Sequence, residues 1–351
     1  MATLTTGKKS RILPDMQPSS SYVIERLGPE LKRTVLKEAL GLVLCGLPTD
    51  ALEVLLPATL LEAKADPAGW GELWRVVLRG DDDGAEVMTV GAAWGQLRPG
   101  GAALVWPPQW RNSGDDAPTA VPISPELSTG LLTHVTAALA ARGCTLAQSL
   151  LISADSAEAE ALLGAGFLHL AELTYLVGET LDVGLRPTDA RDDGARELHF
   201  ESFEPNERER LAGVVERSYV DTLDCPALNG LRTGREMLDE YEVAGSGGAK
   251  LWRFIVHEGR DVGCLILAEH AEQDQVELVY MGLVPEARKR GWGAIVARES
   301  LRIAASLGRA RVVLAVDGAN QPAVKAYQRV GFLPWEQRSA FIKSLPAATD
   351  G

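Results

Sequence analysis

Two short runs hold the residues whose types and spacing could do chemistry. The first, VELVYMGLVPEARKRGWGAI at 276–295, is an apolar strand-like stretch ending at Pro285, followed by Arg288-Lys289-Arg290-Gly291-Trp292-Gly293 and a helical pattern from Ala294. A basic, glycine-rich turn ahead of a helix can aim backbone N–H groups at a pyrophosphate, and the helix dipole favours the negative charge. Gly291 and Gly293 let the backbone come close to such an anion. The spacing is neither G-x-G-x-x-G nor G-K-[ST], so the common nucleotide loops are excluded. The second run, at 308–332, reads as a strand over 312–316, an Asp317-Gly318 turn, and a two-turn helix over 323–330 capped by Asn320 and stopped by Gly331. Pro322 sits just inside the helix start, where its missing N–H costs nothing. That helix carries Tyr327, a phenol at a fixed place on a short rigid element.

Together the runs resemble the GNAT superfamily of acyl-CoA-dependent N-acyltransferases. The matching positions are Arg288, Gly291 and Gly293 of an [RQ]-x-x-G-x-[GA] turn, then Asn320, Ala323 and Tyr327 of an N-x-x-A-x-x-x-Y helix, and a closing Gly331-Phe332. The resemblance implies acetyl-CoA as acyl donor and an amine, small-molecule or peptide, as acceptor. It implies that Arg288, Lys289, Arg290, Gly291, Gly293 and Ala294 face the phosphates and that Met281, Gly282, Leu283 and Val284 line the pantetheine arm on a strand splayed from its neighbour. Asn320 caps its helix and is placed to touch the same arm. Trp292 either covers the adenine or packs outward. Gly282 is the expected point of disruption in the strand, and the Leu283 N–H the expected donor to the thioester carbonyl.

Acyl transfer to an amine needs a base for the ammonium and an acid for the leaving thiolate. Glu277 stands where mycothiol synthase-like members of the family carry a basic glutamate. A solvent-facing role, with Glu269, Glu272 or ordered water as the base, is the alternative. Tyr327 is the expected acid, its unperturbed phenol being about 1.5 units weaker than a thiol. The competing reading is a core aromatic packed on Phe332. The loop at 221–230 joins two helices where the resemblance puts the acceptor side, so Tyr219 and Asp224 are candidate acceptor contacts; a solvated loop is the competing reading. Cys225 has no base beside it in sequence, which disfavours an acyl-cysteine route.

The elements that position these residues follow from pattern. Helices are expected near 205–220 and 234–242, strands near 250–257, 262–270 and 275–284, and a last strand near 335–343. A shift of 165 residues lays 143–167 on 308–332: Gly143 on Gly308, Asp155 on Asn320, Gly166 on Gly331, Phe167 on Phe332. This predicts an α/β fold of two tandem GNAT-like domains, each a mixed central sheet flanked by helices. Expected boundaries are a flexible tail over 1–20, a degenerate domain over 21–182 and an acetyltransferase domain over 190–348. The first copy has Leu162 in the Tyr327 slot and a proline-rich excursion at 107–126 in place of the turn, so one active site is expected, in the second half. The layout resembles mycothiol synthase-like tandem proteins.

Composition sets limits. The net charge of −13 argues against general nucleic-acid or membrane binding, which needs a basic face. Four scattered cysteines with no C-x-x-C suggest neither zinc nor a disulfide framework, and a cytoplasmic location. No metal is expected. No apolar run reaches membrane-spanning length, and residues 1–20 lack a secretory leader pattern. A monomer or homodimer fits. A non-catalytic acyl-CoA-binding sensor is the rival reading, which would need neither base nor acid.

Overall fold

In the computed structural model, the described residues are 2–6, 9–13, 21–79, 88–111, 124–181 and 198–346, with only the backbone for 2–6 and 9–13. Half of the tail expected over 1–20 falls outside them; the described parts run as two strands, β1 (Ala2–Thr6) and β2 (Lys9–Leu13). The expected joint between the two domains, 183–189, and most of the proline-rich excursion, 112–123, also lie outside the described residues.

The chain folds as two compact units, Met1–His169 with Phe341–Gly351, and Leu170–Ala340. In the first, β3 (Ser21–Leu27), α1 (Arg33–Val43), α2 (Thr49–Ala65), β4 (Glu72–Arg79), β5 (Met88–Arg98), β6 (Ala102–Trp110), α3 (Pro125–Ala141), β7 (Leu146–Leu151) and α4 (Ala157–Gly164) follow in order. Strands β3 to β6 are antiparallel neighbours, and β7 runs parallel to β6. Leu36, Leu40 and Val43 of α1 and Leu56 and Leu60 of α2 bury one side of this sheet. On the other, Leu131, Val135 and Leu139 of α3 and Leu162 of α4 form a core that also takes in Phe341 and Leu345. Lys343 Nζ donates to Thr136 Oγ1 at 3.0 Å and to the Ala165 carbonyl at 2.7 Å.

The second unit contains most of β8 (Leu168–Glu179), then β9 (His199–Ser202), α5 (Arg208–Tyr219), α6 (Gly234–Glu242), β10 (Arg253–His257), β11 (Arg260–His270), β12 (Gln275–Leu283), α7 (Trp292–Ser306), β13 (Arg311–Asp317), α8 (Gln321–Arg329) and the first part of β14 (Leu333–Ser344). Its strand order is β9-β10-β11-β12-β13-β8. β9 to β12 are antiparallel, β13 is parallel to β12, and β8 is antiparallel to β13. Alternation along the strands assigns the faces. Val276 and Leu278 of β12 and Val312, Leu314 and Val316 of β13 pack beneath α7 and α8, whereas Phe254, Cys264 and Ile266 pack beneath α5 and α6. Each unit is thus a mixed sheet flanked by helices, as the α/β reading expects.

The repeat is visible in the elements. β14 spans 333–344 and β8 spans 168–179, a shift of 165 at both ends. Gly143 and Gly308, and Gly166 and Gly331, all take positive φ, a backbone that glycine adopts without penalty. One detail differs from the sequence alignment: α4 is capped by Ser156, whose Oγ accepts from the Ala159 N–H at 3.2 Å, and not by Asp155. No helix of the described residues is long and apolar enough to cross a membrane.

Candidate active site

The site begins where two parallel strands part. β12 and β13 are paired only through Gln275–Arg311, Val276–Val312 and Glu277–Val313. Beyond Glu277, β12 stays with β11 while β13 diverges, leaving one edge of β12 without a ladder partner. The antiparallel register tells which backbone groups face that opening. The Val284 N–H donates to the Val262 carbonyl at 3.0 Å, so by alternation Gly282 and Tyr280 turn their polar groups toward β11. Met281 and Leu283 then turn theirs outward, and buried backbone donors require partners. An extended amide chain laid in the opening would supply them, so these residues fit a pantetheine arm.

The irregularity in β12 lies three residues before the position expected. Between Leu278 and Tyr280 the register with β11 shifts, leaving Val279 as the extra residue of a bulge. Gly282 lies in the regular ladder opposite Cys264. Its need is close approach: a Cβ there would collide with Ser218 Oγ of α5 and the Tyr280 hydroxyl.

After β12 a short 3-10 turn, Pro285–Ala287, leads to Gly291, which caps α7 with φ +81°. Lys289 adopts φ +62° in the same turn. The first N–H groups of α7, from Trp292 and Gly293, lie at a helix N-terminus whose cap supplies no side chain, the arrangement that suits a phosphate. The Ala294 N–H donates to the Gly291 carbonyl at 3.3 Å. Lys289 and Arg290 are exposed there. Arg288 is not available to an anion. Its Nε donates to the Leu283 carbonyl at 3.0 Å, and its two terminal nitrogens donate to Ser218 O at 2.8 Å and Asp221 O at 2.9 Å. The guanidinium fork, rich in donors, ties the end of β12 to the end of α5. Trp292 neither covers a ligand nor packs outward. It is 2% exposed, in the core under α7, with His257 against its ring and the Arg290 guanidinium over it. Gly293 also serves packing, since a Cβ would touch the Ala326 Cβ of α8 at 3.4 Å.

Tyr327 is 5% exposed and meets Phe332 edge to face at 5.6 Å. Burial pushes its phenol well above the ordinary value, and the nearby Asp224 charge adds to the effect. The hydroxyl therefore keeps its proton at neutral pH. Asn320 Oδ1 accepts from the Ala323 N–H at 3.3 Å, capping α8, and its side chain also bonds to Asp224.

Asp224 is no solvated loop residue. Its Oδ1 accepts from the Asp317 N–H at 3.0 Å, while Asp317 Oδ2 accepts from the Cys225 N–H at 3.2 Å. Burial holds the Asp224 carboxyl above the usual range, against the pull of its donors. The loop after α5 is thus fastened at Arg288 on one side and at Asp317 and Asn320 on the other. Two residues that sequence reading turned toward the coenzyme hold the loop after α5. Cys225 is buried in it, its thiol pushed up to about 12 by burial and by Asp224 and Asp317, which leaves it protonated and unreactive.

Tyr219 stacks on Tyr280 with ring centres 5.3 Å apart and planes 2° apart, and Tyr241 stacks on the same ring at 5.7 Å. The Ser218 and Tyr280 hydroxyls are 2.8 Å apart. Burial pushes the Tyr219 phenol up to about 12. Sequence reading named Tyr219 but missed Ser218, Tyr241 and Tyr280, whose approach depends on where α5 and α6 land on β12. It also missed His270, whose Nε2 lies 2.8 Å from Glu277 Oε2. Among the described residues no group of three or more His, Cys, Asp or Glu side chains converges as a metal site would require.

The first unit repeats the opening with other residues around it. β6 and β7 pair only through Ala102–Leu146, Ala103–Ala147 and Leu104–Gln148, the same three rungs. Counting from them, Leu104 stands where Glu277 does, Pro108 where Met281 does, and fully buried Leu162 where Tyr327 does. The register of β6 with β5 breaks around Pro107 and Pro108, residues that have no N–H to offer.

Residues 222–332 match the family model described as Acetyltransferase (GNAT) family. A mycothiol acetyltransferase of Corynebacterium aurimucosum is 36% identical over 77 residues, 21% of this chain and 25% of that protein. The chain therefore aligns with about a quarter of that curated relative's length. Among solved structures, a GCN5-related N-acetyltransferase from Sphaerobacter thermophilus covers 93% of this chain and 96% of its own, with a TM-score of 0.58 and 15% identity. A tandem GNAT protein from the clavulanic acid biosynthesis pathway covers 93% and 100%, with a TM-score of 0.50 and 14% identity. At these identities the structural likeness concerns the fold.

Proposed function

We propose that this chain, whose residues 222–332 carry a GNAT acetyltransferase domain, moves an acetyl group from acetyl-CoA to a primary amine, with one active site in its second half. The observation that carries this reading is the parting of β12 from β13 beyond Glu277, beside a helix N-terminus with a glycine cap. The bound thioester would supply an activated acyl group. Met281 holds the pantetheine arm through its outward backbone groups. The N–H of Leu283, a residue whose carbonyl accepts from Arg288, polarises the acyl carbonyl. The α7 N-terminus, with Lys289 and Arg290, takes the phosphates. Direct attack in a ternary complex needs no enzyme nucleophile, in keeping with the buried, protonated Cys225.

Glu277 takes the proton of the acceptor ammonium. Four residues separate it from Met281, about 13 Å between Cα atoms at roughly 3.3 Å per residue, so ordered water completes the path. Tyr327 keeps its proton through the resting state and gives it to the departing thiolate. The acceptor enters on the α5 and α6 face, where Tyr219 lines the cleft. Asp224 supports the loop from within, its carboxylate already engaged.

The test is release of coenzyme A thiol with a panel of alkylamines, arylalkylamines, amino sugars and lysine peptides. Amine-dependent release that falls at least about 10²-fold in Tyr327→Phe, with acetyl-CoA binding unchanged, is expected. Coenzyme binding with no turnover on any amine would favour a sensor.

A further inference from the structure

Glu277 is not an isolated carboxylate. It faces Ala268 across the β11–β12 ladder, and His270, two residues further on, occupies the diagonal position on the same face. Diagonal neighbours on an antiparallel pair lie within reach of long side chains. Here His270 Nε2 and Glu277 Oε2 are 2.8 Å apart, a charge-assisted hydrogen-bond length. The side chains are 22% and 40% exposed, so the pair is neither sealed in the core nor free in water.

Its place in the fold gives the contact meaning. Val276 and Leu278 point into the core beneath α7 and α8, so Glu277 points to the opposite face of the sheet. It occupies the last rung before β12 and β13 part, so its carboxylate emerges at the vertex of the opening. Tyr175, on β8, shares that face. Burial raises its phenol, and the Arg338, Glu336 and Glu277 charges act on it in turn. A glutamate there has three side-chain torsions and two equivalent oxygens. Unheld, it would spend much of its time turned to solvent, and freezing such a side chain costs up to about 2 kcal/mol of entropy. The ring of His270, at the end of a strand, has one rotatable bond fewer and reaches one oxygen only.

We propose that His270 is a positioning residue for acetyl transfer: its Nε2–H occupies Glu277 Oε2, fixes the carboxylate at the vertex and presents Oε1 to the ordered water that leads to the acceptor amine. The inference rests on the reading of Glu277 as the base. No proton needs to pass through the imidazole. The ammonium proton goes through that water to Oε1, and the ring holds the group that receives it.

The experiment is a double-mutant cycle on the full chain, with acetyl-CoA and the best amine of the panel above, or water as acceptor if no amine is turned over. His270→Ala should lower kcat about 10-fold, a part of the roughly 10²–10⁴-fold a base supplies, and leave the KM for acetyl-CoA unchanged. His270→Gln, whose amide can place an N–H in the same position, should recover most of that loss. His270→Ala combined with Glu277→Gln should be no slower than Glu277→Gln alone, because the histidine then has nothing to position. Additive losses, or no recovery by glutamine, would overturn the proposal while leaving Glu277 as base. Full activity of Glu277→Gln would instead remove the reading on which it rests. A readout without turnover is the 15N signal of the His270 ring, expected to move in Glu277→Gln and to stay in place in Tyr327→Phe. A His270→Ala crystal structure with the Glu277 carboxylate unmoved would also reject it.

Discussion

At the scale of single residues, burial decides which groups can react. Tyr327 and Cys225 are both buried acids pushed above their ordinary values, yet the consequences are opposite. For an acid catalyst the proton must be kept until the thiolate appears, so a raised phenol leaves activity intact on the alkaline side. The sign is direct: the protonated form is the active one, and it persists past pH 10, the ordinary tyrosine value. A pH–rate profile with no Tyr327-dependent fall below pH 10 is the expected outcome. For a nucleophile the same shift is disabling. Cys225→Ala should keep wild-type kcat, and trapping experiments should find no acylated thiol. Gly282 shows a third use of burial. Gly282→Ala drives a methyl into Ser218 and the Tyr280 hydroxyl, and should cost about 1–3 kcal/mol in denaturant unfolding.

At the scale of elements, the turn that looks made for an anion divides its labour. Backbone at Gly291 and the start of α7 remains open to phosphate, while Arg288 spends its fork on three carbonyls. Arg288→Ala should therefore cost about 2 kcal/mol of stability. It should raise the KM for the amine, whose loop it fastens, more than the Kd for coenzyme A measured by calorimetry. Loss of coenzyme affinity alone would return Arg288 to the phosphates. The sequence could show that a glycine turn sits between a strand and a helix, because Pro285, Gly291 and the apolar period mark the ends of those elements. It could equally show α8, through Asn320, Pro322 and Gly331. It could not show where Arg288 reaches, since Ser218 and Asp221 lie about 70 residues earlier and meet it only after α5 packs on the sheet. The bulge at Val279 was hidden for a related reason: nothing about a valine in an apolar strand announces a register shift, whereas a glycine nearby invites the wrong choice. His270 was legible only through pairing register, which a single strand does not contain.

At the scale of the whole molecule, the 165-residue repeat gives two openings of the same design, and the proposed function uses one of them. Pro108 has no N–H where Met281 has one, and Leu104 and Leu162 stand where the proposed base and acid do. Titration with coenzyme A should therefore give one site per chain, and hydrogen exchange should slow in β12 and the start of α7, with β6 unchanged. The repeat also predicted two units from sequence, through glycines and helix caps in register. What repetition could not reveal is membership: Phe341 and Leu345 belong to the core of the first unit. Phe341→Ala should cost about 3–5 kcal/mol, with exchange protection lost in α3 and α4 before α5 to α8.

That membership has a consequence for how the protein is made. Synthesis at about 5–20 residues per second separates β8 from Phe341 by roughly 10–30 s on the ribosome. Through that interval the apolar faces of α3 and α4 have been synthesised without the side chains that complete their packing. The half of the molecule that is translated first therefore completes its core only after Phe341 and Leu345 have been made.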